Sequence, residues 1–107
     1  MNEKERRKLC CVLTSPELQL RKVTVLGSLQ RQIIERREQE NGYAFRFEGS
    51  DAVLDELNEF IKTERACCPF FTFDLSVKSE NSAVWLQLSG PDGVKDFIRD
   101  ELGFIDR

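Results

Sequence analysis

Histidine is missing altogether from this 107-residue sequence. Its absence removes Ser-His and Cys-His catalytic pairs, imidazole acid–base chemistry and every His metal ligand. Proline (3) and glycine (6) are also scarce, which argues against a disordered or low-complexity chain. No apolar run approaches the roughly 18 residues that a membrane-crossing helix needs. Residues 1–8 (MNEKERRK) are charged, lack the apolar stretch of a secretory leader and are expected to be flexible. The expected compartment is the cytoplasm. A net charge of −3 and a pI near 5.1 disfavour phosphate-driven nucleic-acid binding. No membrane partner is expected either.

What the chain does have is a core supply and a thiol supply. Hydrophobic residues make up 40% of it, with eight Phe among them, which is enough to fill one domain spanning residues 1–107. Four Cys in a reducing compartment point to metal binding or redox work before structural disulfides.

Apolar patterning sets out the expected elements. Residues 9–13 (LCCVL) read as a buried strand. Ser15 and Pro16, or a Thr14/Glu17 capping box, open a helix. Leu18, Val25, Leu26, Leu29 and Ile33 continue it to about Glu40, where Asn41-Gly42 stops it. Tyr43, Phe45 and Phe47 alternate with polar neighbours as a strand does. After Gly49-Ser50-Asp51, Val53, Leu54, Leu57, Phe60 and Ile61 form a helical stripe that Pro69 ends. Phe71, Phe73, Leu75 and Val77 predict a third strand, and residues 83–88 a fourth. Gly90-Pro91-Asp92-Gly93 leads into a last helix with Val94, Phe97 and Ile98 inward, closed by Gly103. The order is β-α-β-α-β-β-α. It predicts an α/β (α+β) two-layer sandwich, a four-stranded mixed sheet with helices on one face.

The cysteines form two adjacent pairs, Cys10-Cys11 and Cys67-Cys68. Neighbouring α-carbons lie about 3.8 Å apart, too close for an ordinary disulfide within either pair. No C-x-x-C is present, so thioredoxin-type loops and zinc knuckles drop out. If the first two strands run parallel, residues 9–13 start at the edge where the second helix ends. Strand alternation then turns Cys11, with Leu9 and Leu13, toward Cys67 and Cys68, while Cys10 faces away. Three thiols under Phe70 and Phe71, with Glu64 or a water as a fourth ligand, suit a thiophilic ion: Zn(II), Cd(II), Hg(II), Cu(I) or As(III). The competing reading is that buried Cys acts as a small hydrophobe. A helix C-terminus and apolar neighbours oppose a thiolate nucleophile, with only Arg65 and Lys62 nearby to offset them. No catalytic or cofactor-binding residue is assigned, and the balance leans away from an enzyme. Asp74 is expected to face solvent. Trp85 shares a face with Ala83 and Gln87, where a homodimer contact is plausible.

Residues 64–70 (ERACCPF) resemble a family of small bacterial proteins that share an E-R-x-C-C-P-F segment. These continue into W-L-x-L-x-G-P-x-G-x-K-x-F, here residues 85–97, and begin with a Cys shortly before a helix-opening T-x-x-E, here Cys11 and residues 14–17. The similarity spans about residues 9–99. Some of the family's genes sit among heavy-metal resistance functions, so the resemblance implies thiol-based metal handling. By position Cys11, Cys67 and Cys68 match its pattern and Cys10 does not. The leading expectation is thus a soft-metal or metalloid binding protein using these three residues. The alternatives are a cytosolic thiol redox protein or sensor, and a dimerisation or small-molecule-binding module with structural cysteines.

Overall fold

The structure, a computed structural model, describes residues 16–79 and 82–105. The elements run α1 (Pro16–Gln32), β1 (Glu35–Gln39), β2 (Gly42–Phe47), α2 (Asp51–Cys67), β3 (Thr72–Ser76), β4 (Val84–Ser89) and α3 (Val94–Phe97), which continues as a π-helical turn, Ile98–Leu102. The strand expected over residues 9–13, with Cys10 and Cys11, lies outside the described residues.

The four strands are ordered β1-β2-β4-β3, and each hydrogen-bonded pair is antiparallel. The α+β two-layer arrangement is as expected, but the sheet is antiparallel where a mixed one was expected. The reason lies in the position of β4. Strands β2 and β3 run in the same direction, as a strand-helix-strand crossover requires, yet β4 slots between them and pairs antiparallel with both.

The first helix corrects the sequence reading. It ends at Gln32 instead of continuing to about Glu40, and Glu35–Gln39 forms strand β1. A two-residue turn at Glu40 and Asn41 folds β1 back on β2, setting Arg36 opposite Phe45 and Glu38 opposite Tyr43. The segment ERREQ has good intrinsic helix propensity, but five cross-strand pairings outweigh it. Asn41-Gly42 is thus a hairpin signal instead of a helix stop. Gly42 is also required by close approach: a Cβ there would fall 1.8 Å from the Leu88 carbonyl oxygen. The many charges of β1 suit an edge strand, which must not pair with other chains.

One face of the sheet is apolar. Tyr43, Phe45 and Phe47 on β2 stand opposite Leu88, Leu86 and Val84 on β4, and all six are buried. The helices cover this face. Val53, Leu57 and Phe60 of α2 and Leu26 and Leu29 of α1 are buried against it. Ile98, Leu102 and Phe104 complete the core, with the Phe104 ring 5.3 Å from Phe45 and 5.5 Å from Phe60. At the far edge β3 is less covered than its pattern predicts: Phe71 is buried, but Leu75 and Val77 are exposed. Gly103, at φ 68°, ends the last turn, where Gln30 Nε2 donates to the Leu102 carbonyl at 2.7 Å.

Candidate metal centre

Helix α2 carries its buried residues at Val53, Leu57, Phe60, Glu64 and Cys67. These steps of three and four keep one helical face turned to the core along its whole length. Ser50 starts the helix, its hydroxyl accepting from the Val53 N–H at 3.2 Å. At the other end the Cys68 N–H donates to the Glu64 carbonyl at 2.6 Å, and Pro69 follows. The stripe that fills the core therefore delivers a carboxylate and two sulfurs to one buried spot. Glu64 is 1% exposed, and Cys67 and Cys68 are fully buried.

The donor atoms of Glu64, Cys67 and Cys68 all lie within 4.8 Å of one another. The Cys68 thiol donates to Glu64 Oε2 at 3.3 Å and sits 3.6 Å from Cys67 Sγ. Lys22, from α1, closes the group: its ammonium lies 3.6 Å from Glu64 Oε1 and donates to Cys67 Sγ at 3.4 Å. Glu64 Oε1 has no hydrogen-bond partner among the described residues. Cys67 is disulfide-bonded. Cys68 is a free buried thiol.

Burial sets the electrostatics. It pushes the Glu64 carboxyl above its ordinary value, and Lys22 with the Cys68 thiol only partly opposes this. The Cys68 thiol is pushed up to about 12, first by burial and then by the neighbouring Glu64 charge. Cys68 is therefore a protonated thiol at neutral pH.

Of the three cysteines expected to converge, Cys67 and Cys68 are side by side, and Cys11 lies outside the described residues. Glu64, one of two fourth ligands that the sequence offered, lies beside them and accepts from the Cys68 thiol. Arg65 and Lys62, the cations expected near the thiols, are exposed, and Lys62 pairs with Glu59 at 3.5 Å. The cation that reaches the site is Lys22, which the sequence reading missed. Its signal was present: Lys22 lies four residues before Leu26 and seven before Leu29, on the apolar stripe of α1. Phe70 and Phe71 follow the cysteines and join Phe97 in a ring cluster with centroids 4.8–5.7 Å apart. Asp74 is exposed as expected, and Trp85 lies on the sheet face away from the helices.

No protein-family model, curated protein or solved structure matches this chain. Among the described residues, no helix is long and apolar enough to cross a membrane.

Proposed function

We propose that the reduced protein binds one soft divalent cation, of the Zn(II) or Cd(II) type, through Cys67, Cys68 and Glu64. The observation that carries this is the convergence of three buried donor atoms within 4.8 Å. Two quantities narrow the ion. With metal–sulfur bonds of about 2.3 Å, tetrahedral coordination places two sulfurs about 3.8 Å apart, and linear coordination about 4.6 Å. The two sulfurs, 3.6 Å apart with Cys67 bridged, need little movement to reach the tetrahedral spacing. Charge supports a divalent ion: two thiolates and a carboxylate balance an M²⁺ together with the Lys22 ammonium, so the buried group is neutral as a whole. A trivalent or monovalent ion leaves net charge in the core. The Glu64 Oε1 acceptor, which makes no hydrogen bond among the described residues, suits the same role.

Binding requires reduction of the Cys67 bridge and loss of the Cys68 proton, so affinity rises with pH. Reduced protein is expected to take up one Cd(II) per chain with a sulfur-to-metal charge-transfer band in the ultraviolet. Cys67→Ser and Cys68→Ser should each abolish the band, and Cys10→Ser should keep it. Equal uptake by the Cys67→Ser/Cys68→Ser double variant would rule the reading out.

A second reading, thiol–disulfide redox function, is favoured by the Cys67 bridge with a free thiol 3.6 Å away. It is the weaker one. A thiol held near 12 leaves only about one molecule in 10⁵ as thiolate at pH 7, which makes Cys68 a poor attacking group.

A further inference from the structure

The sheet face away from the helices is polar, and the pairing register lays it out as a grid. One row reads Glu35, Arg46, Trp85 and Ser76 across β1, β2, β4 and β3. The next reads Arg37, Ala44, Gln87 and Asp74, and the third Gln39, Gly42, Ser89 and Thr72. The two inner strands carry Arg46, Ala44 and Gly42 on β2 and Trp85, Gln87 and Ser89 on β4. The middle row ends in a guanidinium on one edge and a carboxylate on the other, about 14 Å apart over three strand spacings.

We propose that this face is the self-association surface of the protein, binding a second copy about a two-fold axis parallel to the strands. That axis exchanges the two edges of the sheet while keeping each row at its own height. Arg37 then meets Asp74 of the second copy, and Asp74 meets the second copy's Arg37. Arg46 faces the second copy's Trp85, and Gln39 faces its Thr72. The alternative axis, perpendicular to the strands, places Arg37 on Arg37 and Asp74 on Asp74, so charge selects the first. Aligned packing of two sheets face to face is the common arrangement for such surfaces.

In the single chain Arg46 Nε lies 3.6 Å from Glu35 Oε1. There the Arg37 guanidinium lies 4.5 Å over the Trp85 ring, and its Nε donates to Glu35 Oε2 at 2.6 Å, a contact that association must give up. On association Arg37 extends to Asp74 of the second copy, and the second copy's Arg46 takes its place over the ring, so Trp85 keeps a cation. Four strands of this length present on the order of 400 Å², half of the about 800 Å² per partner of a standard interface. The dimer is therefore a weak one that dissociates on dilution.

The test is sedimentation equilibrium of the full chain over a wide concentration range, with circular dichroism of each variant confirming the fold. A concentration-dependent rise from 12.4 kDa toward twice that mass is expected. Arg37→Asp and Asp74→Arg should each weaken the dimer on the order of a hundredfold, because every single reversal creates two like-charge pairs. The Arg37→Asp/Asp74→Arg double variant restores both pairs and should recover dimerisation. A wild-type chain that stays monomeric up to about 1 mM overturns the proposal. So does a dimer indifferent to the single reversals, or one that the double variant fails to recover. The charge reversals touch no residue of the thiol site, so this outcome and that of the cadmium titration are independent.

Discussion

Two ion pairs join the same two helices at neighbouring positions and live in opposite environments. Arg21 of α1 pairs with Glu59 of α2, with side chains 53% and 35% exposed. One residue on, Lys22 pairs with Glu64, at 14% and 1%. A single step along α1 turns the side chain by about 100°, from the rim of the helix pair to its interior. On the rim water screens both partners, and the pair contributes little. Inside, the Glu64 carboxylate lacks water and depends on the partly buried Lys22, so the pair constrains the fold and holds the thiols in a polar niche within an apolar core. The neighbouring Ser28 and Gln32, both hydrogen-bonded to Glu56 at 2.8 Å, show the partly buried case between these extremes.

Removing one buried partner gives the largest expected effect. Lys22→Met should cost about 2 kcal/mol at neutral pH, less than the 3–5 typical of a broken buried pair because Glu64 can take up a proton instead. Urea denaturation measures it. Below pH 4.5 Glu64 is neutral in wild type and variant alike, so the difference should shrink there, and an equal loss at both pH values would show that Lys22 acts only by packing. A smaller effect is expected in the pH profile of the metal-free protein. Glu64 holds its proton more tightly when folded, so its stabilising contribution is complete below 4.5 and is lost as pH rises through the folded value. Glu64→Gln should flatten that stretch. By the same sign the protonated Cys68 thiol stabilises fully below pH 9.0 and loses that contribution as pH rises toward 12. The least effect belongs to the rim. A double-mutant cycle on Arg21→Ala and Glu59→Ala should give about 0.5 kcal/mol or less and vanish in about 1 M salt, while the Lys22–Glu64 coupling persists.

Legibility followed the range of the interactions involved. The stripe Val53, Leu57, Phe60 of α2 was plain from spacing, and extending it by fours and threes reaches Glu64 and Cys67, so both were readable as buried. The strands at Tyr43–Phe47 and Val84–Leu88 were readable from alternation. Strand β1 was not. ERREQ has no apolar alternation and good helix propensity, and only its partner β2 makes it extended. The same holds for the exposed Leu75 and Val77, whose alternation is that of an inner strand but whose place is the sheet edge.

By itself the sequence determined which chemistries were open. Without histidine, any site had to rely on thiols, carboxylates and ammonium or guanidinium groups, and the helical repeat of α2 set Glu64 and Cys67 on one buried face beside Cys68. Only the tertiary structure decided that Lys22 completes the group, that β4 separates β2 from β3, and that Arg37 and Asp74 end the same row of the open face. The physical reason is range. A helix's period is local and written in adjacent residues, whereas strand order and the meeting of two helices depend on contacts between residues far apart in the chain.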